Sequence, residues 1–372
     1  MTEQLTSRLV EVDDLDDAIE LCFEQGWTDG LPVVPPTAAK VRRFLDEVQR
    51  SGDEVLFEYA DRSRVVTLEK VAINAVMAGC RPEYFPVVLA LFDAMTDRRF
   101  MIHPVNASTG GSAIGFVVNG PIRHEIGMNF RGNVLGPGNR ANSTIGRAIR
   151  LVQINAMGSV PGAGNEDAPD GGVLRPILDR STIGQPAKYA GYHLAEWEEL
   201  FPSLAPLHTT LGYRAEQDVV TVFTCVGHIQ ISTHAERTAQ EIVDSICYYL
   251  VGSGRLRVGG TCVLVVPPES AERFVRDGWS KADIGQAVYE GTSRTAAWVK
   301  RSGGSLSAGL MTAMGGEVTA QDEATTVAIA GSGADVHVVV AGAPAGSFNY
   351  ALLPYGGGFA HREIVRPNRK GT

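Results

Sequence analysis

Five runs in this chain, residues 115–118, 218–226, 261–266, 324–330 and 336–341, are apolar and rich in β-branched residues, with no regular alternation in polarity. A strand with one solvated face shows polar residues at every second position, so unbroken apolar runs demand cover on both faces. The cover is available in the intervening segments. Residues 13–24 place Leu15, Ile19, Cys22 and Phe23 at helical spacing, and Thr37 and Thr67 stand where they would cap helices over 38–48 and 68–78. Residues 87–95 are nearly all apolar and predict a buried helix. Ile145, Ile149, Val152 and Ala156 predict another over 143–156, capped by Asn142 or Ser143. Thr233-x-x-Glu236 reads as a capping box for a helix to about residue 250, and Ser280-x-x-Asp283 caps one running toward 300.

Strands alternating loosely with helices give an α/β fold with a mixed sheet flanked by helices, or α+β if the strands pair mainly as hairpins. Residues 158–186, rich in Gly, Pro and Asp, read as a long surface excursion, which divides the chain into an N-terminal α/β half (1–170) and a C-terminal α/β half (171–372). Two echoes suggest that the halves are similar and share a core. Val33-Val-Pro-Pro-Thr-Ala-Ala39 resembles Val265-Val-Pro-Pro-Glu-Ser-Ala271, and Phe116-Val-Val-Asn-Gly120 resembles Val338-Val-Val-Ala-Gly342, although the first rests on a low-information VVPP.

Composition narrows the function classes. No apolar run approaches eighteen residues, the length near which a membrane-spanning helix begins. The net charge of −9 opposes a nucleic-acid surface, which needs clustered Lys and Arg. Five cysteines form no CxxC, so reduced thiols are expected, and the acidic start lacks the pattern of a secretory leader; both point to the cytoplasm. Glycine is the outlier at 42 of 372 residues.

The most unusual stretch is Gly136-Pro-Gly-Asn-Arg-Ala-Asn-Ser-Thr-Ile-Gly-Arg147, ahead of a predicted helix. Glycines free the backbone, the first helical N–H groups lack partners, and Arg140 and Arg147 add guanidinium groups. Such a loop suits a carboxylate or phosphate, with Asn139, Arg140, Asn142, Ser143 and Arg147 as binding groups and Lys188 as a further polar candidate. It is neither a Walker A loop nor a dinucleotide fingerprint. Cys80, next to Arg81 and before a helix, is the candidate nucleophile or acid–base thiol, since a nearby cation favours thiolate. Lys70, sharing a helix face with Asn74, is a candidate base or Schiff-base amine. Asp29, His103 and His228 complete the candidate proton-transfer groups, the two histidines at expected strand ends. Ser108-Thr-Gly-Gly-Ser112 offers hydroxyls but no ordered triad. Cys225, His228 and His234 have zinc-ligand chemistry without a fourth ligand or a CxxC, so no metal site is assigned and zinc stays an alternative. No cofactor is indicated.

Four segments taken together resemble a widespread, mostly uncharacterised bacterial family. They are Trp27-x-Asp-Gly-Leu-Pro-Val-Val-Pro-Pro-Thr37, Val71-Ala-Ile-Asn-Ala-Val-Met-Ala-Gly-Cys80-x-Pro-Glu-Tyr-Phe-Pro86, Val118-Asn-Gly-Pro121 and Gly136-Pro-Gly-Asn-Arg-Ala-Asn142. The resemblance extends through Gly184-x-Pro-x-Lys-Tyr189 and Asp277-Gly-Trp-Ser-Lys-Ala-Asp283, but not to 303–316. It implies a neighbour carrying a UGSC motif, a selenol or thiol partner; this chain has no Gly-Ser-Cys of its own. The expectation is a cytoplasmic enzyme, a lyase or hydrolase acting at a carbon–heteroatom bond of a small anion, in an assembly that includes a homo-oligomer as an option. The alternative is a non-catalytic subunit that holds substrate for the thiol- or selenol-bearing partner, with Cys80 buried and inert.

Overall fold

The structure, a computed structural model, describes residues 5–107, 110–160, 192–257, 259–302 and 317–367. The first half is mainly helical: α1 (Leu15–Glu24), α2 (Ala38–Val48), the hairpin β1 (Val55–Tyr59) and β2 (Arg64–Thr67), then α3 (Leu68–Ala78), α4 (Phe85–Thr96) and α5 (Ile102–Ala107). There follow β3 (Ala113–Asn119), α6 (Ile122–Glu125), α7 (Arg140–Asn155), β4 (His193–Ala195), α8 (Leu207–Thr210) and β5 (Val219–Ser232). The chain continues through α9 (Ala239–Gly252), β6 (Cys262–Val266), α10 (Pro268–Arg276), α11 (Lys281–Thr292), β7 (Arg294–Thr295), α12 (Ala296–Arg301), α13 (Ala320–Ala324), β8 (Thr326–Val327), β9 (Val336–Val340) and β10 (Phe348–Glu363). No helix among the described residues is long and apolar enough to cross a membrane.

The main sheet has six strands in the order β4-β3-β5-β10-β6-β9. Its outer pairs, β3 with β4 and β6 with β9, are parallel, and the inner pairs are antiparallel. A half-turn about an axis between β5 and β10 therefore carries β4-β3-β5 onto β9-β6-β10 with directions preserved. The two sequence echoes do not follow this relation. Val33 lies in the loop before α2, whereas Val265 is in β6; Phe116 is in β3, whose counterpart is β6, whereas Val338 is in β9. The division expected at 170/171 lies outside the described residues.

The two faces of the sheet are buried differently. Phe116, Val118, Ala195 and Val220 pack outward with α2, α3, α4 and α7, and Leu264, Val266, Val338 and Ala351 pack outward with α9, α10 and α11. On the other face Val117, Leu194, Phe223, Val263, Val339 and Leu352, one from each strand, form a single buried cluster. The sheet curls on itself, and its two edges meet where the Trp197 amide donates to the Val340 carbonyl at 2.7 Å. Unbroken apolar runs thus meet long helices outside and chiefly the sheet's own strands inside, where the single turn of α8 adds Leu207.

Local expectations hold for α2, α3 and the capping box of α11, with Thr37, Thr67 and Ser280 as N-caps. Three do not. Helix α7 starts at Arg140 and is capped by Asn139, not by Asn142 or Ser143. Strand β5 runs on to Ser232, so the capping box falls at Thr238 and Glu241 rather than at Thr233 and Glu236. The expected strand over 324–330 shrinks to β8, because 320–324 is helical. The long β10 gave no apolar signal, since Pro354 and the glycines at 356–358 interrupt it at a bulge opposite Phe223 and Cys225.

Gly115 shows how closely the inner face is packed. It stands directly across from Phe223, and a Cβ there would lie 2.5 Å from that ring and 3.0 Å from Tyr192 Cβ. Gly115→Ala should cost about 1–3 kcal/mol through overpacking. Urea denaturation checks this, and an unchanged midpoint would show that the inner face is looser than described here.

Candidate functional site

The Pro-rich segment 27–37 cannot hydrogen-bond to itself as a helix or central strand, so its carbonyls are available to other parts of the chain. Helix α7 takes them. Arg147 Nε and Nη2 hold the Asp29 carboxylate at 3.0 and 2.8 Å, and Nη2 also reaches the carbonyls of Leu31 and Pro32 at 3.2 and 2.9 Å. Farther along the helix, Asn155 Nδ2 donates to the Trp27 carbonyl at 3.0 Å and to Asn74 Oδ1 at 2.7 Å. The Val34 amide donates to the Met77 carbonyl at 3.0 Å, which ties the strap to α3 as well. At the end of the strap, Thr37 starts α2.

The result brings together three of the sequence motifs. Segment 27–37 and α2, the turn from α3 into α4, and the start of α7 surround a pocket of about 460 Å³. Lys40, Arg43, Arg81 and Arg140 line it, with Glu83 as the single carboxylate among the described residues and Val34, Phe44, Val76 and Pro82 as apolar wall. Lys40 and Arg43 share one face of α2 because they are three residues apart. Lys40 Nζ donates to the Pro35 carbonyl at 3.1 Å and Arg140 Nε to the Gly79 carbonyl at 3.0 Å. Gly79 ends α3 in a left-handed conformation (φ 88°), which a side chain would resist. Arg43 and Arg81 have no ion-pair partner among the described residues, and both are exposed.

The other groups expected to bind an anion from the 136–147 loop are largely occupied within the protein. Arg147 and Asp29 form a closed pair, with side chains 13% and 4% exposed. Asn139 caps α7 through Asn142 N and donates to the Gly127 carbonyl. Asn142 Oδ1 accepts from the Asn129 amide, while its Nδ2 donates to the Asn129 and His193 carbonyls. Ser143 lies half-buried in the first turn of α7. Of the loop residues, Arg140 alone lines the pocket. Lys188 lies outside the described residues, as do Ser108, Thr109 and 303–316.

Cys80 reaches the pocket wall but is buried, and its thiol donates to the Thr144 carbonyl at 3.3 Å. Burial pushes the thiol up to about 12; the Thr144 side chain and the charges of Arg140 and Arg147 pull it back only in part. The thiolate-favouring environment expected from its neighbours is therefore absent.

The remaining candidates are scattered. Lys70 is exposed and donates to the Val65 carbonyl at 2.6 Å, while Asn74 turns inward to Asn155. His103 lies in α5 rather than at a strand end, 3.0 Å from the Tyr59 hydroxyl. His228 is exposed within β5, 3.2 Å from the Tyr192 hydroxyl, so it too is not at a strand end. The zinc alternative finds no support: among the described residues no three His, Cys, Asp or Glu side chains gather to hold a metal ion, and Cys225 is buried with its thiol pushed well up.

Sequence reasoning passed over Lys40, Arg43, Arg81 and Glu83 as site residues. Lys40 and Arg43 carried a usable signal, two cations on one face of a predicted helix directly after the Pro-rich motif. No protein-family model, curated protein or solved structure matches the chain.

All five cysteines are buried. The folded protein at pH 8 should therefore show no fast-reacting thiol toward Ellman's reagent, with all five appearing on denaturation. One fast thiol that maps to Cys80 would restore it as a nucleophile.

Proposed function

We propose that this protein binds a small carboxylate- or phosphate-bearing molecule in the basic pocket and presents it to a thiol or selenol reagent carried by a partner. The observation that carries this reading is the meeting of four cations with one carboxylate in a single pocket, drawn from three chain segments far apart in sequence. Guanidinium groups give charge-assisted hydrogen bonds to such anions, and the apolar wall accommodates the body of the molecule. The volume lies in the range of ordinary small-molecule sites, about 300–1,000 Å³. Supporting the binding role over a catalytic one, the only thiol at the pocket is protonated and donated to a backbone carbonyl.

A second reading keeps the chemistry within this chain, as a lyase or hydrolase. It is favoured by Glu83, an exposed carboxylate at the pocket without an ion-pair partner among the described residues. In that case Glu83 is the proton acceptor and the cations orient the substrate.

Titration calorimetry with inorganic phosphate and with small mono- and dicarboxylates tests the pocket. Arg140→Ala and Arg43→Ala should each weaken the binding of an accepted anion by about 1–3 kcal/mol, the range for losing a charged hydrogen bond. Equal affinity of both variants and wild type would remove the pocket from consideration.

A further inference from the structure

The curled sheet encloses a polar end that the basic pocket does not use. Asn119 ends β3 on the same face as Val117, the inner one, and Glu196 follows β4 on the face of Leu194. Thr221 of β5 stands directly between Val117 of β3 and His361 of β10. From β9, on the far side of β6, the His337 ring stacks on Phe359 of β10 with centroids 4.2 Å apart, which shows that these inner side chains meet across the curl. Lys281, the first residue of α11, ion-pairs with Glu196, and both side chains are buried. Two further groups close this end: Tyr213 donates its hydroxyl to, or accepts at, His361 Nδ1 at 2.9 Å, and His208 of α8 is fully buried.

The hydrogen-bond accounts of this region are incomplete in one direction. Asn119 Nδ2 donates to Glu196 Oε2 at 2.8 Å and to Glu198 Oε1 at 3.0 Å, but Asn119 Oδ1 has no donor among the described residues. The Thr221 hydroxyl has no partner among them either, although Thr221 is completely buried. His208 donates from Nε2 to the Ala215 carbonyl at 3.3 Å, which leaves Nδ1 an acceptor, again without a partner. Buried polar groups rarely go unpaired, because each costs its full desolvation. Asn119 Oδ1 can only accept, and the other two atoms can do so.

The charges rule against an anion here. Glu196 and Lys281 neutralise each other, Glu196 also takes the Leu207 amide at 2.7 Å, and burial holds His337 in its neutral form near pH 7. We propose that the inner polar end of the sheet is a second binding site, for a small uncharged or cationic molecule that donates hydrogen bonds through hydroxyl or amino groups. Asn119 Oδ1 and the Thr221 hydroxyl accept from it. The site is chemically the opposite of the basic pocket and independent of it.

Thr221→Val keeps the shape of the side chain and removes only the hydroxyl. Chemical denaturation of the full chain, with millimolar ethanolamine or glycerol as donor-bearing probes and sodium formate as the anionic control, reads occupancy as a shift in midpoint. At least one donor-bearing probe should raise the wild-type midpoint while formate does not, with apparent affinity at least tenfold weaker in Thr221→Val. No shift with either donor in the wild type would overturn the proposal. So would a shift of the same size in Thr221→Val.

Discussion

The buried pair between Asp29 and Arg147 is the contact on which the rest of the N-terminal architecture depends. One guanidinium fork satisfies a carboxylate and two carbonyls of a Pro-rich strap that has no hydrogen-bonding pattern of its own. Removing either partner leaves the other charge buried and unpaired, at a cost of roughly 3–5 kcal/mol. The strap then fixes the start of α2, and α2 carries Lys40 and Arg43 to the pocket. In this protein a residue that looks like an anion ligand in sequence serves instead to position the cations that line the pocket.

The second constraint is the curl of the sheet. Strands apolar on both faces need two covers, and the long helices cover only one of them, the other receiving no more than the single turn of α8. Closing the sheet on itself provides the other, which explains why Gly115 must yield space to Phe223 and why the edges touch at Trp197 and Val340. The same closure traps polar groups at one end. Those groups pair among themselves where they can, as Glu196 does with Lys281, and a few remain unmatched.

Helix starts were legible at Thr37, Thr67 and Ser280, where a capping side chain precedes an amphipathic run. The cap of α7 was misplaced because Asn139, Asn142 and Ser143 all have capping side chains, and the choice among them is made by tertiary bonds to Gly127, Asn129 and His193. Strand β10 was invisible because its bulge breaks the apolar pattern with glycine and proline. For the site, sequence singled out the stretch 136–147 as polar and irregular, whereas α7 already begins at Arg140 and leaves only 136–139 as loop; periodicity and composition say nothing of which distant segments meet. Arg147, Asn139 and Asn142 carry the same chemistry as a ligand-binding group, and only their partners in space reveal that this chemistry is already used. Cys80 likewise has cationic neighbours in sequence and in space, yet desolvation outweighs them.

The central claim is that Arg147 builds the pocket without touching the anion proposed to bind there, and the most direct measurement is a double-mutant cycle on phosphate affinity by calorimetry. The structure predicts that Asp29→Ala and Arg147→Ala weaken binding alike and that the double variant is no worse than either, because each breaks the same clamp. Arg147→Ala abolishing binding while Asp29→Ala preserves or strengthens it would contradict the account, since it would make Arg147 a direct ligand restrained by Asp29.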